Sequence, residues 1–137
     1  MTFLWSDAWL FQAIAVAARA RPAALAEVLG AADAANHALP TDEELHGALS
    51  RLTGAGYVEE IDQKFQLTDR VPAEIADAIA TGGWAKGRSA ASAFLNAEPW
   101  SHDRNVGDPR NRVKYAGLTS ERIISADTEY RRRVSRS

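Results

Sequence analysis

Four groups of residues in this chain combine side-chain types that can do chemistry. Gly82-Gly83-Trp84-Ala85-Lys86-Gly87-Arg88-Ser89 follows the spacing of a phosphate-binding loop, with Arg88 where lysine belongs. Such a loop works because a parallel strand feeds it and its amides converge on the phosphates. The preceding residues 73–80 have helical periodicity, with Ile75 and Ile79 inward, and no repeated strand–helix units supply a sheet. A connector is the expectation here. Ser101-His102-Asp103 holds the residue types of a hydrolase triad, but adjacent side chains on a loop do not converge as triad members from separated segments do. Asp33 and His37 are one helical turn apart and could begin a zinc site with His46 or His102. Neither a His-Glu-x-x-His helix nor a cysteine framework completes that set. Asp42-Glu43-Glu44 opens a helix, where carboxylates match the positive helix end. The expectation is a non-enzymatic protein with no metal and no cofactor.

The elements that must position these groups are clearest between residues 39 and 68. Thr41 precedes Glu44 by three residues, the spacing of a capping box in which hydroxyl and carboxylate each accept a backbone N–H. Leu45, Leu49 and Leu52 follow at helical spacing, forming an apolar stripe. Gly54 and Gly56 suit the stop of that helix. Residues 57–61 and 65–68 are β-favouring runs around Asp62-Gln63-Lys64, a hairpin pattern. Ahead of this unit, Leu25, Val28, Leu29 and Ala32 make one helix face. Asn36 falls on the same face, and a buried Asn must be hydrogen-bonded, so it is expected to tie down the turn at residues 37–40. The first helix is expected to start with Ser6 as N-cap and Trp5 stapled onto Leu10. Helices are thus predicted at 7–19, 23–37 and 41–55, with a hairpin at 57–68 and no strand between 7 and 35. Residues 89–97 form a further short helix, and Trp100 is placed to pin its exit. Residues 101–112 form a polar loop, and a last helix capped by Thr119 is anchored by Ile123, Ile124 and Tyr130.

Three helices, a Pro-containing corner, a capped third helix and a hairpin resemble the winged helices of bacterial MarR- and PadR-type transcription regulators. Leu25, Val28, Leu29, Thr41, Glu44, Leu45, Leu49, Leu52, Gly56, Tyr57, Val58 and Leu67 carry the resemblance. The stretch Ala31-Ala32-Asp33-Ala34-Ala35-Asn36-His37-Ala38 is also similar to uncharacterised bacterial winged-helix proteins of this size. The implied fold is mainly α with a small β-hairpin wing: a winged helix-turn-helix domain over 1–71 and a helical C-terminal extension over 72–137, ending in a basic tail. The resemblance implies a cytoplasmic, dimeric regulator of transcription that binds double-stranded DNA through its third helix and wing. On that reading His46, Ser50, Arg51 and Lys64 face the nucleic acid, assisted by Arg131, Arg132 and Arg133.

Charge points the other way. Residues 1–71 hold five Lys/Arg against ten Asp/Glu, a balance of −5, whereas residues 100–137 hold nine against five, or +4. A DNA-reading domain normally carries the positive half of such an asymmetry. The alternative is a protein-interaction module on the same frame. Dimerisation has its own argument, because the first helix is apolar around most of its circumference. Beyond the stripe of Leu10, Ile14 and Ala17 it carries Trp9, Phe11 and Val16, which require cover from the C-terminal part or a second subunit. Trp9, Phe11, Val16, Ile123, Ile124 and Tyr130 are therefore the expected dimer contacts.

The 137 residues, 46% of them hydrophobic and 25% charged, suit one globular unit with a real core. Cysteine is absent, which removes disulfides and thiolate sites. The apolar N-terminal segment lacks a basic leader region and is interrupted by Asp7 and Gln12, so neither export nor membrane insertion is expected.

Overall fold

A computed structural model describes residues 3–97 and 114–135. The polar loop 101–112, Trp100 and the Ser101-His102-Asp103 run lie outside the described residues. Within them the chain forms α1 (Trp5–Ala17), β1 (Ala23–Ala24), α2 (Leu25–Asn36), α3 (Asp42–Gly54), β2 (Val58–Ile61), β3 (Lys64–Leu67), α4 (Ala73–Thr81), α5 (Gly83–Ala97) and α6 (Ser120–Ser135). The structure is mainly helical with one small antiparallel sheet of order β1-β3-β2.

α1 is the hub. Every residue from Asp7 to Ala15 is buried, because α2 and α3 cover one side and α4 and α5 the other. This answers the expectation of extra cover: the cover comes from the chain's own second half. Trp9 donates its indole N–H to the Ala32 carbonyl at 3.0 Å. The Phe11 ring stacks on Phe94 of α5 with centroids 6.0 Å apart. Both rings are thus committed to the core of one chain and are unavailable as dimer contacts. Val16 stays exposed on the rim. α1 also begins earlier than predicted: Leu4 rather than Ser6 is its N-cap, and Asp7, inside the first turn, accepts the Leu4 N–H at 2.8 Å. Trp5 is accordingly inside the helix and packs on Trp9, 5.5 Å away.

The helix-capping reading of α3 is correct in both halves. Glu44 N–H donates to Thr41 Oγ1 at 3.1 Å, and Thr41 N–H donates to Glu44 Oε1 at 2.9 Å. The corner before it is closed differently from expectation. His37 takes a left-handed conformation, φ 55°, and its N–H reaches the Asp33 carbonyl, so backbone alone ends α2. Asn36 is half-buried, and its side chain makes no hydrogen bond among the described residues.

A strand lies where none was predicted. Ala23 and Ala24 pair antiparallel with Phe65 and Lys64. An Ala-Ala dipeptide after Pro22 has little strand propensity of its own, and the free edge of β3 supplies the template. The β2–β3 turn is the two-residue Asp62-Gln63, with φ 52° and 64°, the positive pair that matches the twist of a tight hairpin.

The glycine-rich run 82–89, expected to be a connector, is the C-cap of α4 at Gly82 followed by the start of α5. Gly82 and Gly87 mark close approach, whereas Gly83 takes φ 78° in open space. A Cβ at Gly87 would sit 2.4 Å from the Ile79 carbonyl oxygen, so only glycine lets α5 cross α4 there. Without a preceding parallel strand the run has no phosphate-loop geometry.

α6 lies against α2. Ile123 and Ala126 are buried, while Ile124 is 64% exposed and does not anchor the helix. Thr119 caps it, accepting the Arg122 N–H at 3.1 Å.

Candidate functional site

The exposed face of α3 is where the sequence placed nucleic-acid contacts, and the structure redistributes them. Arg51 is 3% exposed and Asp7 0%. Arg51 Nε donates to Asp7 Oδ2 at 2.7 Å, and Nη2 donates to Oδ1 at 2.8 Å. The planar fork of the guanidinium suits this two-point hold. Gly47, one turn earlier, leaves the space that the guanidinium occupies, since a Cβ there would stand 2.4 Å from Nη2. Arg51 therefore clamps α3 to α1 and cannot meet a phosphate without unpairing Asp7.

His46 is engaged as well. Its Nδ1 accepts the Tyr115 N–H at 2.9 Å, so the segment leading into α6 crosses this face. The Ser50 hydroxyl is buried without a hydrogen-bond partner among the described residues. Tyr115 goes on to the sheet: its hydroxyl donates to Glu60 Oε1 at 2.7 Å and its ring meets Phe65. Burial, reinforced by that bond to Glu60, raises the Tyr115 pKa well above the ordinary phenol value. Arg122 pairs with Glu60 Oε2 at 2.8 Å, donates to the Gln63 carbonyl and covers the Phe65 ring. These contacts fasten the C-terminal segment over α3 and the hairpin.

Of the remaining predicted contacts, Lys64 is exposed beside the hairpin turn. Arg131 pairs with Asp127 and Arg133 with Glu129, each one helical turn away. Arg132 is exposed. Tyr130 turns inward onto α2, donating to Asp33 Oδ2 at 2.5 Å, which raises its pKa. Asp33 thus serves a tyrosine instead of pairing with His37. Among the described residues there is no group of three or more His, Cys, Asp or Glu able to hold a metal. Nor is any helix among them long and apolar enough to cross a membrane.

A second surface emerged that sequence reasoning missed. Arg88 of α5 lies over the rings of both Trp5 and Trp84, 5.5 and 5.3 Å from their centroids. Trp5 is 48% exposed, Trp84 44% and Val16 43%. Two half-exposed indoles held around one guanidinium form a rigid, amphipathic patch of the kind enriched in protein interfaces. Helical spacing within one segment cannot reveal such a patch, because Trp5 and Arg88 come together only through the packing of α5 on α1.

The buried pair did leave a signal. Asp7 stands three and seven residues before Leu10 and Ile14, on the stripe of α1 that faces the core. A carboxylate on that stripe requires a cationic partner. No family model matches the chain, and no curated protein or solved structure is significantly similar to it.

Proposed function

We propose that residues 3–71 form a winged helix-turn-helix module and that the protein acts without catalysis, by docking another protein chain. The order α1-β1-α2-α3-β2-β3 with a β1-β3-β2 sheet supports the winged-helix reading. The docking reading rests on one observation, the burial of Arg51 against Asp7. α3 contains a single arginine and no lysine, so this pairing leaves Thr41, Asp42 and Glu43 as its exposed leading end. Carboxylates repel a polyanion. The Trp5–Arg88–Trp84 patch with Val16 is the better contact surface, and a second copy of this chain is its foremost occupant. This keeps self-association but moves it away from Trp9 and Phe11.

DNA binding is the second reading, favoured by exposed Lys64 beside the hairpin turn and exposed Arg132 on α6. Sedimentation and a titration against random duplex DNA over a salt series separate the two. Docking predicts a mass near twice 14.9 kDa, reverting to monomer on Trp84→Asp, and no DNA affinity even at low salt. Binding to DNA that weakens steeply with salt would overturn it.

A further inference from the structure

Beneath the rim formed by Val16 and Trp84 the structure contains a cavity of about 230 Å³ between α1, α2, α4 and α5. Gln12, Val16, Ala34, Ala35, Ile79 and Trp84 contribute to its lining, and none of the described lining residues is charged. Gln12 is its one polar side chain. It is 1% exposed, and its amide is half-used: Nε2 donates to the Trp84 carbonyl at 2.8 Å, while Oε1 is buried with no hydrogen-bond partner among the described residues. The bond to a carbonyl fixes which end of the amide is the donor. What remains is an acceptor. Gly87 holds α5 close to this amide, since a Cβ there would lie 2.8 Å from Nε2.

We propose that this cavity binds a small neutral molecule with an apolar body and one N–H or O–H group, which donates to Gln12 Oε1. A buried acceptor without a partner is uncommon in folded proteins, and apolar pockets with one placed polar group are the usual form of a small-molecule site. Small alanines on α2 make the room. Trp84, half-exposed, forms the wall at the mouth. The uncharged lining disfavours carboxylates, phosphates and amines, whose desolvation nothing in the pocket offsets. The site is complete within one chain, and Val16 and Trp84 at its mouth are shared with the docking patch proposed above.

Indole and benzofuran test this directly, because they share shape and differ in a ring N–H against a ring oxygen. In a two-dimensional NMR titration of the full chain, indole should bind saturably, shifting the signals of Gln12 and Trp84 among those that line the cavity. Benzofuran, the more apolar of the two, should bind at least about tenfold more weakly. Ala31→Phe, at a half-buried position of α2 that lines the cavity, should abolish indole binding while leaving the helical circular dichroism unchanged. Equal affinity for the two probes would overturn the role of Gln12. Absence of saturable indole binding, or binding that survives Ala31→Phe with the fold intact, would overturn the site itself.

Discussion

Replacing Arg51 by methionine separates the two uses an arginine on α3 could have. The long aliphatic stem is largely preserved, but Asp7, fully buried, is left holding only the Leu4 N–H. Removing one partner of a buried ion pair costs about 3–5 kcal/mol. Against a total stability of roughly 5–15 kcal/mol for a domain, that is a large fraction. An arginine on the solvent face would cost within about 0.5 kcal/mol. The expected outcome in a urea titration followed by tryptophan fluorescence is therefore a marked fall in midpoint. The double variant Asp7→Asn/Arg51→Met restores neutrality and keeps an acceptor for the Leu4 N–H. Its loss should fall short of the summed single losses by about 2–3 kcal/mol. An Arg51→Met midpoint close to that of the parent would refute the buried clamp and return α3 to candidacy as a DNA-reading surface.

Two further outcomes concern smaller devices. Thr41→Ala removes the hydroxyl that accepts the Glu44 N–H, and should cost about 1 kcal/mol in the same titration; an unchanged midpoint would show that the cap contributes nothing. Tyr115 gives a pH signature, because burial and its bond to Glu60 raise its pKa above the unfolded value of about 10. A raised folded-state pKa means the stabilisation is complete below about pH 10 and is lost as pH climbs beyond it. Tyr115→Phe should therefore lose less stability than the parent between about pH 8 and pH 11, and equal losses would refute the account.

Local signals carried most of the backbone architecture. The Thr41–Glu44 box, the leucine spacing of α3 and the hairpin residues act over a few positions, so they can be read along the chain. β1 could not, since its strand state is imposed by β3 some forty residues later. Gly82 and Gly87 misled for a related reason: glycine signals either freedom or crowding, and only the Ala78 and Ile79 carbonyls beside them decide between the two. The site was less legible than the fold. Asp7 and Gln12 are conspicuous as polar residues in an apolar helix, but their partners, Arg51 and Trp84, are set by tertiary packing. Arg51 lies off the Leu45–Leu49–Leu52 stripe of its own helix, so only the buried Asp7 of α1 reveals that it turns inward.

The position of α1 also dictates the order in which this protein can mature. During translation residues 5–17 emerge long before the residues that complete their surroundings. Arg51 lies 44 positions after Asp7, and Trp84 lies 72 after Gln12. At a synthesis rate of roughly 5–20 residues per second, the nascent helix waits about 4–15 seconds for Trp84. Through that interval it presents an apolar cylinder with an unneutralised carboxylate and an uncovered Phe11. The packing of α5 over α1 ends that exposure.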